Sequence, residues 1–131
     1  MHDERLTLPD EKPWTPFSEG IDFRLLFSSA ETGRFTLSLR CQPGSALPAH
    51  RHLGAGEYFV VKGRMDYRMG AAEEGSYGYE PIGAVHELTS FPVYTELFFT
   101  NHGAITFLDE QGGVAMILDH ATLEALEAGA A

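Results

Sequence analysis

Glycine and proline cut this chain into short pieces, and that punctuation constrains its fold more than any other feature. The 131 residues include 14 glycines and 7 prolines. Between the breaks, apolar residues recur at every second position, the period of a half-buried strand. Phe23, Leu25 and Phe27 alternate with Arg24, Leu26 and Ser28, and Glu31-Thr32-Gly33 then makes a turn. Phe35, Leu37 and Leu39 alternate with Thr36, Ser38 and Arg40 to complete a hairpin. Tyr58–Val61 is a short run of strand formers ended by Lys62-Gly63, and Met65, Tyr67 and Met69 share one face beyond it. Val93–Thr100 reads as a further strand, Asn101-His102-Gly103 as a turn, and Ile105–Leu108 with Val114–Leu118 as a last hairpin. One helix is expected, over His120–Ala128, with Asp119 as its cap and Leu123 and Leu126 inward. Many short strands joined by tight turns predict an all-β barrel or sandwich.

Residues 1–20 break this pattern. Pro9, Pro13 and Pro16 favour extended chain, while Trp14 and Phe17 give the segment something to bury. The expected organisation is an extended arm over residues 1–20 and a single barrel domain over residues 21–131 that includes the short helix. An arm this apolar, beside sheet edges that must be covered, predicts a homodimer in which it crosses the partner.

Chemistry is concentrated in two stretches. In Gly44-Ser-Ala-Leu-Pro-Ala-His50-Arg-His52, strand geometry puts both histidines on one face. Two imidazoles on one face are half of a metal site. Farther on, Gly75-Ser-Tyr-Gly-Tyr-Glu80-Pro81-Ile-Gly83-Ala-Val-His86 turns at Pro81 and Gly83 and aims a third histidine where a strand resumes. His50, His52 and His86 are therefore the expected metal ligands. Glu80, six residues before His86, is the candidate carboxylate for an imidazole N–H. His2, His102 and His120 read as surface residues. Met65, Tyr67 and Phe98 are the candidate walls of an apolar substrate pocket.

The two stretches resemble the paired motifs of the cupins, which are small jelly-roll β-barrels. Ser90 departs from the Asn usual in the second motif. The first motif usually carries a carboxylate ligand with six residues between it and its closing glycine, and counting back from Gly63 places that position on Gly56. Glu57 is one residue off, and a slip of one turns a side chain to the other face. The expectation is three histidines, with Glu57 as a fourth ligand only if the loop Leu53–Gly56 absorbs the extra residue. Together with Trp14 and the late Phe107-Leu-Asp109-Glu-x-Gly112, these motifs resemble the group containing the acetylacetone-cleaving and dihydroxyacetophenone dioxygenases and the cupin domains of zinc-binding anti-sigma factors. That resemblance implies Fe(II) on three histidines, with Zn or Ni also fitting, and dioxygen-dependent C–C cleavage of a small β-diketone or hydroxyketone. It equally implies two alternatives, a non-catalytic zinc- or ligand-binding module and a non-redox metal enzyme such as an isomerase.

Composition narrows the partners. Acidic residues number 19 against 9 basic ones, giving a net charge of −10. That balance disfavours a nucleic-acid phosphate backbone, which requires clustered Lys and Arg. There is no apolar run of membrane-spanning length and no secretory leader, so no membrane partner is expected. The single Cys41 excludes an internal disulfide and reads as a buried small residue at a strand end. Cytoplasm is the expected compartment.

Overall fold

The computed structural model describes residues 3–129, so His2 lies outside the described residues. Fourteen strands and one helix are formed among them. The strands are β1 (Thr15–Ser18), β2 (Ile21–Ser28), β3 (Phe35–Cys41), β4 (Ser45–Leu47), β5 (His50–His52), β6 (Gly56–Lys62) and β7 (Arg64–Tyr67). They continue with β8 (Gly70–Glu73), β9 (Tyr77–Glu80), β10 (Val85–His86), β11 (Thr89–Phe91), β12 (Thr95–Asn101), β13 (Ile105–Leu108) and β14 (Val114–Leu118). The helix is α1 (His120–Gly129). Three sheets result, in the orders β1-β2-β3-β12-β6-β9, β10-β5-β13-β14 and β4-β11-β7-β8, with every pairing antiparallel. This is the all-β architecture with one short C-terminal helix that the turn pattern predicts.

The six-stranded sheet turns Phe23, Leu25, Leu37, Leu39, Tyr58, Val60 and Leu97 inward. They meet Ile105, Phe107 and Leu118 of the second sheet in one buried cluster. Helix α1 presents Leu123 to the same cluster, fully buried. Its first turn is held by Asp119, whose Oδ1 accepts from the Thr122 backbone N–H at 2.8 Å. Such a cap contributes about 1 kcal/mol.

The N-terminal segment settles on its own barrel. Thr15 and Pro16 pair with Phe23 and Asp22 across the β1–β2 ladder. The guanidinium groups of Arg24 and Arg40 lie 4.2 and 4.7 Å from the centre of the Trp14 ring. Phe17 packs 5.6 Å from Phe107, and Lys12 pairs with Glu127 at 3.1 Å. From Trp14 onward the arm thus lies on its own barrel through strand pairing, cation–π stacking and apolar packing, while Leu6 and Leu8 ahead of it stay exposed. Cys41 ends β3 with no exposure, and burial pushes its thiol up to about 12, so it remains an inert thiol at neutral pH. No helix among the described residues is long and apolar enough to cross a membrane.

Candidate metal centre

Two short strands and one turn build the centre. His50 and His52 bracket β5, and both are buried while Arg51 between them is exposed. His86 ends β10 directly opposite His50 in the β10–β5 ladder. The turn that delivers it needs a left-handed residue, supplied by Gly83 at φ 85°. Its backbone is locked to β5 from both sides. The Gly83 N–H donates to the His52 carbonyl at 2.7 Å, and the His52 N–H donates to the Ala84 carbonyl at 2.9 Å. The three imidazole centres consequently form a near-equilateral triangle with sides of 5.3, 5.1 and 5.2 Å. The three histidines that spacing grouped lie together in space, joined by Glu80.

Glu80 differs from expectation in where it touches the rings. Its Oε2 lies 2.6 Å from His86 Nε2 and also in contact with His52 Nε2. Ligand atoms of His50, His52, Glu80 and His86 all lie within 4.8 Å of one another, and all four residues are buried. Glu80 therefore stands among the ligand atoms rather than behind an imidazole. Burial alone would raise its carboxyl, but hydrogen bonds from His52 and His86 and their charge outweigh it and hold it at about 2. His50 is driven the other way. Burial, reinforced by the neighbouring His52 and His86, lowers it to about 4 against the opposing Pro48 carbonyl. At neutral pH His50 is uncharged, with Nδ1–H donating to Pro48 O at 2.9 Å and Nε2 left as a free lone pair.

Glu57 is absent from the group. Strand β6 turns Gly56, Tyr58 and Val60 inward, so Glu57 faces outward and is exposed. It sits between Thr100 and Tyr79 on the outer face. The loop does not absorb the slip, because Gly56 itself keeps the inward register. The usual carboxylate position is therefore empty of side chain, and Glu80, paired with Gly56 on the adjacent strand, brings a carboxylate instead.

The residues present fit a divalent first-row metal. Three imidazole nitrogens and one carboxylate oxygen converge in a buried group, with Glu80 Oε2 against both His52 Nε2 and His86 Nε2. Such nitrogen-rich donor sets favour Zn, Fe, Cu and Ni over Mg or Ca.

The centre opens onto an apolar cavity of about 60 Å³, as swept by the centre of a water-sized sphere. Met65 and Tyr67 line it, together with Leu97, Phe99, Phe107 and Leu123. Phe98 does not. It is exposed on the outer face of β12, whereas Leu97 and Phe99 flank it and point inward, so the expected wall residue is corrected by one position. Tyr67 shares a 2.6 Å hydrogen bond with Tyr58 and stands 5.4 Å from the His86 ring. Sequence reasoning missed Asn101, read as a turn residue. It closes β12 fully buried, with Oδ1 3.2 Å from His52 Nδ1. The alternation Leu97, Phe99, Asn101 carries that signal.

Comparison with known proteins agrees with this geometry. A family model described as the ChrR cupin-like domain matches residues 2–106. The chain is 41% identical over 112 residues to the acetylacetone-cleaving enzyme of Acinetobacter johnsonii, covering 77% of this chain and 73% of that protein. The crystal structure of an acetylacetone dioxygenase from Acinetobacter johnsonii superposes with a TM-score of 0.92 at 34% identity, over 100% of this chain and 95% of that one. A candidate acetylacetone dioxygenase from Methylibium petroleiphilum PM1 superposes with a TM-score of 0.90, also at 34% identity, over 95% and 94% of the two chains.

Proposed function

The chain belongs to the ChrR cupin-like domain family, and from that premise we propose that it is a non-haem Fe(II) dioxygenase cleaving a C–C bond in a small β-diketone or hydroxyketone. The observation that carries this reading is the buried His50–His52–His86 triangle with Glu80 at the wall of an apolar cavity. The 41% identical relative named for acetylacetone cleavage supports it.

His50, His52 and His86 would hold the metal through Nε2. Bound there, a divalent redox metal supplies Lewis acidity toward two substrate oxygens and electrons toward dioxygen. The rest is the work of the chain. Three neutral imidazoles leave the ion's charge uncompensated, which favours an anionic, deprotonated diketone. Glu80, ionised beside the ligand nitrogens, is too weak a base to take a C–H proton, so the substrate enters already as its enolate, and Oε2 accepts imidazole N–H or joins the ligand set. The cavity is small and lined almost wholly by apolar side chains, which suits a small apolar ketone. Met65, Leu97 and Phe99 exclude water around it, while Tyr67 keeps its hydroxyl engaged with Tyr58.

A second reading has one observation in its favour. If Glu80 ligates together with the three histidines, the set of four is closed and suits a structural zinc ion in a non-catalytic module. Oxygen uptake distinguishes the two. Fe(II)-loaded protein consumes dioxygen when given a small β-diketone and Zn(II)-loaded protein does not; no uptake by the iron form overturns the dioxygenase reading.

The proposal extends to a cytoplasmic homodimer. A single buried thiol suits a reducing compartment. With the arm engaged on its own barrel, the outer face of the six-stranded sheet is the surface offered to a second copy. Phe98, Phe59 and Tyr77 are exposed there in one cross-strand row. The neighbouring row, Asp22, Arg40, Glu96 and Lys62, alternates in sign and is locally neutral on a chain of net charge −10.

A further inference from the structure

We propose that Asn101 is a positioning residue of the metal centre, admitted to its place by the missing side chain at Gly56. Asn101 is paired with Gly56 across the β12–β6 ladder, and Gly56 is paired with Glu80 across β6–β9. Asn101, Gly56 and Glu80 thus form one inward row, in which the middle strand contributes no side chain and its neighbours close over the gap. A Cβ built on Gly56 would stand 2.5 Å from Asn101 Oδ1 and 3.4 Å from His52 Nδ1. Any other residue at position 56 displaces the amide from the ring.

The contact has a definite consequence for His52. With Oδ1 as acceptor, the ring carries its proton on Nδ1 and presents the Nε2 lone pair to the centre. His50 is fixed in the same sense by the Pro48 carbonyl, a backbone group that no substitution removes. His86 Nδ1 has no partner. Among the described residues, Asn101 is therefore the one side chain that sets the orientation of a ligand ring through its Nδ1. Simple space filling does not account for it. Its Nδ2 is buried unpaired, which costs about 1–3 kcal/mol, and an aliphatic residue would fill the gap without that cost. This inference rests on the metal reading of the site and is independent of the substrate.

Zinc titration against a competing chelator, with NMR of the His52 Nδ1–H proton in the zinc form, tests it on the full chain. Asn101→Leu is expected to weaken zinc binding about 10–100-fold and to lose the protected Nδ1–H signal. Gly56→Ala, which leaves Asn101 in the sequence but evicts its amide, is expected to do the same. Asn101→Asp keeps an acceptor at the same distance and should restore both readings to near wild type. Wild-type affinity and an unchanged Nδ1–H signal in Asn101→Leu overturn the proposal, as does Asn101→Asp as impaired as the leucine variant. Should Asn101→Leu not fold, Gly56→Ala against Asn101→Asp decides on the same readings. A wild-type chain that takes up no zinc overturns the metal reading itself.

Discussion

Glu57 and Glu80 lie on adjacent strands, one register step apart, and their fates are opposite. Gly56 faces Glu80 and Glu57 faces Tyr79 in the same ladder. One carboxylate enters a ring of imidazoles and is held at about 2; the other lies in water on the outer face. Neither residue type nor strand propensity separates them. What does is the two-residue period of a pleated strand, anchored by an inward glycine. The same comparison runs along β12, where Leu97, Phe99 and Asn101 belong to the site and Phe98 and Thr100 do not. One sheet therefore has an inner face that lines the candidate metal centre and an outer face open to solvent, offset by a single residue.

The comparison can be broken most severely at the ligands. Replacing His50, His52 or His86 by Ala should each abolish stoichiometric metal uptake in elemental analysis, while His102→Ala, in an exposed turn, should leave it intact. Next come the two glutamates. Glu80→Gln is expected to lower metal affinity by about 10–100-fold, and Glu57→Gln to leave it unchanged, in parallel titrations. Equal effects would mean that the inner and outer faces are wrongly assigned.

Stability sharpens the contrast in the packing. Leu97 is 2% exposed and Phe98 is 42% exposed. Leu97→Ala should cost about 2–5 kcal/mol in denaturant unfolding, and Phe98→Ala much less, although the aromatic ring is larger. For the proposed homodimer, sedimentation of wild type should give a dimer and Phe98→Glu a monomer.

A pH effect follows from the inner face alone. His50 titrates at about 4 when folded against 6.5 unfolded. Between those values the unfolded chain binds more protons, so stability of the metal-free protein falls as pH drops from 6.5 toward 4, by an amount on the order of 3 kcal/mol. Glu80 contributes stability that is complete above 4.5 and lost as pH falls toward 2. Chemical denaturation from pH 7 to pH 4 measures the first window, and His50→Gln should flatten it.

Spacing made the histidines legible, because a His-x-His strand and a Pro-x-Gly turn are local geometry that survives any tertiary arrangement. The barrel was legible from turn punctuation for the same reason. Register was not. Whether Gly56 or Glu57 points inward depends on how β6 aligns with β9 and β12, and pairing partners lie more than twenty residues away in the chain. Phe98 failed as a pocket residue for the same cause. Asn101 was hidden because Asn-His-Gly is ordinary turn chemistry, and only burial beside Gly56 reveals its contact with His52. The course of the arm was not legible because apolar and Pro-rich residues predict burial without naming the surface. Arg24 and Arg40, distant in sequence, decide where Trp14 goes.

The central claim is that the inward face holds a redox metal with room for a chelating diketone beside it. Anaerobic titration of Fe(II)-loaded protein with a small β-diketone tests it most directly, by visible absorption. The account predicts a saturable charge-transfer band at one diketone per iron, absent in His86→Ala and bleached when air is admitted. Iron bound at full stoichiometry with no band at saturating diketone would contradict it.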